Sequence, residues 1–236
     1  RSAELKDDDT GAHIVRMGFF SAFIARTLGQ NSRYCEMMLH ASRMHDVGKI
    51  GVPDSVLKKP GALTPQEWEV MRRHPEIGER LLGGSESELV QLASEIAGSH
   101  HEKFDGSGYP RGLVGENIPL SGRIVAVADV FDALTSTRPY KKMWQPEAAR
   151  KFMLGHSGTH FCPMCINAFF GGIGEWPFWL RMVLLAVMFL AFTITRYFVA
   201  AYVTKSPRNE LKANAVTFLI LFVIILIIAA VMALNP

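Results

Sequence analysis

Residues 100–110 read His100-His101-Glu102-Lys103-Phe104-Asp105-Gly106-Ser107-Gly108-Tyr109-Pro110, and the rest of the chain is best read outward from them. Two adjacent histidines and a glutamate end a helical run and lead at once into a glycine-rich stretch. Between Phe104 and Pro119 lie four glycines and two prolines, which break the helical period and mark one ordered loop. On both sides the apolar spacing is helical. It predicts helices over 86–101 and 122–135, and further out over 34–45, 75–82 and 146–154. Ile14, Phe19, Phe20, Phe23, Ile24 and Leu28 recur at mostly helical spacing up to a stop at Gly29. Thr64 and Glu67 form a capping-box pattern that opens the helix carrying Trp68 and Met71. No long alternating stretch argues for a sheet, so residues 1–174 read as an all-α domain.

The remaining residues, 175–236, differ in kind. The whole chain of 236 residues carries 25 Lys+Arg against 22 Asp+Glu, a net +3. This balance excludes a strongly basic binder of DNA or RNA polymers and an acidic disordered tail. Five of the basic residues and two of the acidic ones, Glu175 and Glu210, lie beyond residue 174, so the N-terminal domain is neutral. Residues 213–234 are 22 residues without a charge, enough to cross a bilayer core of roughly 30 Å. Residues 180–203 form a second apolar stretch, with Arg181 near one end, Arg196 inside, and Trp176, Phe178, Trp179 and Tyr197 in the manner of an interfacial aromatic belt. It is expected to span as well, with a helix lying in the interface as the alternative. The basic linker 204–212 favours the cytoplasmic side, whereas a two-span hairpin behind a cytoplasmic domain would put it outside. Either that rule is broken or only the last segment spans. The expected architecture is thus a helical bundle followed by one or two C-terminal transmembrane helices.

The chain opens on Arg1 and shows no signal peptide, so it is expected to be a piece of a longer protein. Three cysteines, Cys35, Cys162 and Cys165, suggest a reducing compartment rather than a disulfide scaffold.

Chemistry is concentrated in histidines and carboxylates. Asp9 and His13 are four residues apart, on one face of a helix that begins early enough. His45 and Asp46 are adjacent, with Lys49 a turn further on, and His100 and His101 are adjacent before Glu102. Asp129 and Asp132 share one predicted helix, and His74 precedes Pro75. Neutral imidazoles with carboxylates suit divalent iron, manganese or zinc. A mixed His/Asp set also suits a two-metal centre joined by a bridging carboxylate.

The run His45-Asp46-Val47-Gly48-Lys49, followed by the His100–Pro110 stretch, resembles the HD-GYP family of cyclic di-GMP phosphodiesterases. The likeness extends through Asp9-Thr10-Gly11-Ala12-His13, His74-Pro75-Glu76-Ile77-Gly78, Ala128–Ser136 and Gly158-Thr159-His160-Phe161, covering roughly residues 5–170. It implies an HD-type helical bundle and hydrolysis of cyclic di-GMP to linear pGpG and onward to GMP. His45, Asp46, His74, His100, His101 and Asp129 would ligate two metal ions, iron or manganese, with His13 and Asp9 completing a third position. The family commonly has Glu where this chain has Asp9, one methylene shorter, so the third position stays open. The resemblance further gives Asp46 and Lys49 catalytic roles, Lys49 facing the phosphate, while Arg138 and Lys141 grip the ligand and Tyr109 lies on the substrate side. The Gly108-Tyr109-Pro110 loop is linked in the family with contacts to diguanylate cyclase (GGDEF) domains. Together with the tail, this places the expected protein at the bacterial inner membrane with its catalytic domain in the cytoplasm.

Two alternatives stay open: an HD phosphohydrolase acting on another nucleotide, such as cyclic GMP-AMP, and a non-catalytic binding module. Asp105 and Asp132 read as supporting carboxylates rather than ligands. His40, His156 and His160 read as structural. Cys162-Pro163-Met164-Cys165 has redox or half-zinc spacing where the family usually has Phe-Asp-Pro, with no second pair nearby.

Overall fold

The computed structural model describes residues 11–136 and 143–171. All of them fall within the first of the two units, 1–174 and 175–236, into which the chain divides. Asp9, Arg138, Lys141 and the apolar segments 180–203 and 213–234 lie outside the described residues. Among those described there is no strand, only isolated bridges at Asp105–Val114 and Ser157–Phe161. No described helix is long and apolar enough to cross a membrane.

Among the described residues nine α-helices follow in order: α1 (Gly11–Thr27), α2 (Ser32–Ala41), α3 (Asp54–Leu57), α4 (Pro65–Met71), α5 (His74–Leu82), α6 (Glu88–Ala97), α7 (Leu120–Thr135), α8 (Pro146–Gly155) and α9 (Pro163–Gly171). Their ends have local causes. Asn31 caps α2 by accepting the Tyr34 N–H at 2.8 Å, and Thr64 with Glu67 forms the expected reciprocal capping box on α4. Gly29 adopts φ 76° just beyond α1, the left-handed conformation that ends helices and suits glycine.

The core is built around α7. Ile124, Val125, Val127, Ala128 and Phe131 are buried on it, and it packs against α1, α6, α8 and α9. Phe131 meets Phe20 of α1 and Phe169 and Phe170 of α9 edge-on or nearly so, with centroids 4.9–5.8 Å apart. Burying such rings is worth roughly 1.5–3 kcal/mol each in transfer alone. On α1 the inward face runs through His13, Met17, Phe20, Ser21 and Ile24; of the expected stripe, Phe20 and Ile24 are buried, while Ile14, Phe19, Phe23 and Leu28 are only partly so. The same face brings a histidine, His13, into the interior at the start of the helix. A polar residue able to bind metal can thus sit in a core stripe that hydrophobicity alone would not include.

Two helices stop earlier than their apolar spacing suggests. The one expected over 34–45 becomes α-helical only to Ala41 and continues as 3-10 turns over Ser42–Met44 and Val47–Gly51. The one expected over 86–101 ends at Ala97, leaving His100 and His101 in the turn that follows. In both places a histidine ring folds back onto a carbonyl at or just past the helix end.

Candidate metal centre

Those returning rings set the chemistry of the site. The final carbonyls of a helix have no intrahelical partner, and three buried histidines use carbonyls at or just past such ends. His74 Nδ1 lies 2.8 Å from the Met71 carbonyl that ends α4. His100 Nδ1 lies 3.0 Å from the Ala97 carbonyl that ends α6, and His45 Nδ1 lies 2.9 Å from the Ser42 carbonyl just after α2. A carbonyl can only accept, so each Nδ1 carries the proton and each Nε2 lone pair is left for a cation. The local fold therefore selects the tautomer.

The Nε2 atoms converge on Asp46. Its Oδ1 is 3.2 Å from His74 Nε2 and 3.5 Å from His100 Nε2, and those two nitrogens are 3.4 Å apart. Its Oδ2 faces His45 Nε2 at 3.1 Å and Lys49 Nζ at 2.8 Å. His101 closes the first group, its ring 4.9 Å from that of His74. A second group joins His13, His45 and Asp129, with His13 Nε2 4.0 Å from Asp129 Oδ1. Within each group the candidate ligand atoms lie within 4.8 Å of one another. Asp46 thus turns one oxygen to each group, as a carboxylate bridging two ions does.

The residues fit metal. Ligand bonds of about 2.0–2.2 Å put neighbouring donors roughly 3–3.5 Å apart around an ion, which matches the separations around Asp46. The buried Asp46 Oδ1 and His45 Nε2 have no well-formed hydrogen bond, and leaving such atoms uncompensated is costly. The charge state agrees. Burial opposes ionisation of Asp46, but Lys49 and His45 outweigh it and hold the carboxyl well below its ordinary range. Burial likewise opposes a charge on His45, yet Asp46 and then Asp129 overcome it and push its pKa up to about 9. In His100 and His101 burial prevails, holding both below the usual histidine value, His101 well below, with His100 and His74 adding to the effect. Without an ion, the only positive charge this centre recruits among these three rings is a proton on His45.

Asp132 and Arg16 support the second group. Asp132 accepts from His13 Nδ1 at 2.7 Å and takes two contacts from the Arg16 guanidinium, one of them Nη2 to Oδ2 at 3.0 Å. Arg16 also reaches Ser136 Oγ at 2.8 Å. The His13 and Arg16 contacts hold the buried Asp132 carboxyl below its normal pKa against the cost of burial. Arg16 had no signal in the sequence apart from its place one turn after His13. Asp105, by contrast, is exposed and accepts from the Ser107 N–H and hydroxyl within the loop, remote from ligation.

The glycine loop is fastened over His101. The buried Glu102 carboxylate accepts the backbone N–H groups of Arg111 and Leu113 at 2.8 and 3.0 Å, and Arg111 reaches back to Glu79 and the Gly98 carbonyl. A side chain on Gly108 would collide with the backbone of Glu102 and Lys103. Tyr109 stacks on the His101 ring, centroids 4.7 Å apart and planes 23° apart, and the Arg72 guanidinium carbon lies over the tyrosine ring, 5.5 Å from its centroid. Burial pushes the Tyr109 hydroxyl up to about 12, so it is a neutral donor. Arg72 was not anticipated, because it comes from the turn before His74 and meets Tyr109 only in three dimensions. On the other side of the centre, a side chain on Gly48 would run into the His74 carbonyl and Gly78 amide. That close approach presses the Asp46–Lys49 turn onto α5.

With this geometry established, residues 3–164 match the family described as HD domain. The chain belongs to the HD domain family. The resemblance to HD-GYP proteins holds in the relatives too. The chain is 49% identical over 172 residues to the cyclic di-GMP phosphodiesterase response regulator RpfG of Xanthomonas campestris pv. campestris, covering 73% of this chain and 46% of that protein. It is 46% identical over 166 residues to 3'3'-cGAMP-specific phosphodiesterase 2 of Vibrio cholerae, covering 70% and 32%. This HD domain protein therefore spans less than half the length of either relative. Among solved structures, Bd1817, a HDG"Y"P protein from Bdellovibrio bacteriovorus, shares the fold with a TM-score of 0.53 at 22% identity, over 66% of this chain and 50% of that one.

Proposed function

We propose that this HD domain protein is a metal-dependent phosphodiesterase that opens cyclic di-GMP to linear pGpG and carries it on to GMP. The observation that supports this most is the Asp46 carboxylate, which faces one histidine group with each oxygen and holds Lys49 beside it. The bound ions are two, iron or manganese, with a third if Asp9 serves as a ligand. When bound, they supply Lewis-acid polarisation of the phosphodiester and activation of a water. The chain's own residues do the rest. Asp46 keeps the two groups in register. Lys49, mostly buried, offers a fixed positive charge to the phosphate as its charge grows in the transition state. Tyr109 covers His101 and presents a neutral hydroxyl on the substrate side. Arg138 and Lys141 complete ligand binding in this reading, by the family resemblance.

The similarity to relatives named as cyclic di-GMP phosphodiesterases favours that substrate. A second reading, cyclic GMP-AMP, is favoured by the relative named as 3'3'-cGAMP-specific. We further infer that segments 213–234 and 180–203 anchor the chain in the bacterial inner membrane with this domain in the cytoplasm, and that the Tyr109 loop is where a GGDEF domain would dock. The test is turnover of both dinucleotides by protein loaded with Mn²⁺ or Fe²⁺, with a His45→Ala, Asp46→Ala double variant alongside. Hydrolysis by the parent and none by the double variant is expected. Normal metal content with both dinucleotides left intact would sink the enzyme reading in favour of a binding module.

A further inference from the structure

Away from the metal centre, the fold joins two thiols around the start of α9. Cys162 and Cys165 are both free; Cys162 immediately precedes Pro163, the first residue of that helix, and Cys165 is inside its first turn. Amides at a helix start lack intrahelical acceptors and favour negative charge. From α7, Arg123 Nη1 donates to Cys162 Sγ at 3.6 Å, while the Nε of the same guanidinium is buried without a partner. No carboxylate pairs with Arg123 among the described residues, so the Cys162 sulfur is the group this arginine has for an anion. Cys165 follows three residues later, in the first turn of α9.

These contacts separate the two sulfurs chemically. The neighbouring Cys165, helped by backbone amides and Arg123, pulls Cys162 down to about 5 against the effect of burial. Cys165 is pushed up by the Cys162 sulfur beside it and by burial. Cys162 is therefore the more acidic sulfur of the two, with the Arg123 guanidinium beside it to balance a negative charge. Three residues along a helical turn put Cα atoms roughly 5 Å apart, within the span a disulfide needs. Cys162 is 4% exposed and Cys165 0%, so only a small oxidant reaches the reactive sulfur.

We propose that Cys162 and Cys165 form a redox-active dithiol, which hydrogen peroxide or a comparably small hydroperoxide converts into an intramolecular disulfide. The Cys162 thiolate attacks one peroxide oxygen, the O–O bond breaks, and Cys162 sulfenic acid and hydroxide result. The Cys165 sulfur then attacks the Cys162 sulfur, the S–O bond breaks, and the thiol proton leaves with the hydroxyl as water. Two sulfurs are oxidised by two electrons in total and one peroxide is reduced. The site is independent of the phosphodiesterase reading, and nothing in it requires bound metal.

The experiment treats the full, chelator-stripped chain with dilute hydrogen peroxide and follows each cysteine by peptide mass mapping. Cys35 serves as an internal reference, since burial pushes its thiol up. Cys162 is expected to react about ten-fold or more faster than Cys35, with loss of two hydrogens across the 162–165 pair and full reversal by dithiothreitol. In Cys165→Ser the reaction should stop with one oxygen on Cys162, and Arg123→Gln should slow the first step. If Cys162 reacts no faster than Cys35 in the unaltered chain, the proposal is overturned whether or not the variants fold. It is equally overturned if the disulfide forms only after unfolding.

Discussion

The two ligand groups that meet at Asp46 are held by different means. In the group of His74, His100 and His101, two rings are fixed by backbone carbonyls three residues away in sequence. In the group of His13, His45 and Asp129, His45 is fixed in the same local way, but His13 depends on Asp132, 119 residues distant, and through it on Arg16. A ring anchored to its own turn is placed as soon as that turn forms. A ring anchored across the fold is placed only when α1 and α7 have packed. The first group is therefore preorganised by local backbone, and the second by tertiary structure, which makes it the more easily disturbed.

The largest expected effect comes from removing what the groups share. Asp46→Ala should abolish retention of metal at both groups and reduce turnover to background, read by metal analysis beside the activity assay. Retention at the His74 group alone would show that Asp46 does not bridge. Next in size is Lys49→Ala, which should lower kcat about 10²–10³-fold with metal content unchanged at both groups. A parallel loss of metal would mean that Lys49 acts by holding Asp46 in place rather than through the phosphate.

Legibility in the sequence followed the same division. The all-helical class, the capping box at Thr64 and Glu67 and the break at Gly29 were readable, because each depends on residues within one turn. His45, His74, His100, His101 and Asp46 could be picked out as residue types, and the structure brings them together. Their tautomers could not be read, since those depend on where α4 and α6 stop. Helical spacing placed the end of α6 four residues late, because it does not register a ring returning to an end carbonyl. Arg16 and Arg72 were invisible for another reason. An arginine on a helix or in a turn is ordinarily a solvated charge, and its partners here, Asp132 and Tyr109, are set by packing alone. Helix α9 has a start signal in Pro163, which suits a first helical position, but its short and mostly apolar run has no polar face to set a helical period.

A smaller effect isolates the group held by tertiary contacts. Asp132→Asn keeps the size of the side chain but no longer balances Arg16 or accepts as strongly from His13. Metal should be held about 10–100-fold more weakly at the His13 group and unchanged at the His74 group, which titration with Mn²⁺ followed by paramagnetic resonance can resolve. Equal weakening at both groups would show that the two are positioned as one unit.

The finest distinction is in protons. His100 and His101 are held below the ordinary histidine range, so near neutral pH they are already the neutral ligands that an ion needs. His45 is pushed up to about 9 and must give up its proton before it can ligate. Filling the His45 group near neutral pH should therefore release about one proton from that ring, while His100 and His101 contribute none. Calorimetry of Mn²⁺ binding in buffers of different ionisation enthalpy reads that number, and the release should fade as pH rises through 9. The same shift acts on the metal-free fold with a definite sign. Its raised value means that the His45 contribution to stability is complete below the unfolded histidine value of about 6.5 and is lost as pH climbs through about 9. The lowered values of His100 and His101 act oppositely, removing stability as pH falls below about 6.5. Melting of the chelator-stripped protein should thus be highest near that pH and decline on both sides. In His45→Gln the alkaline decline should disappear and the acid one remain. Loss of both slopes together would mean that the two groups titrate as one, and the contrast between them would fall.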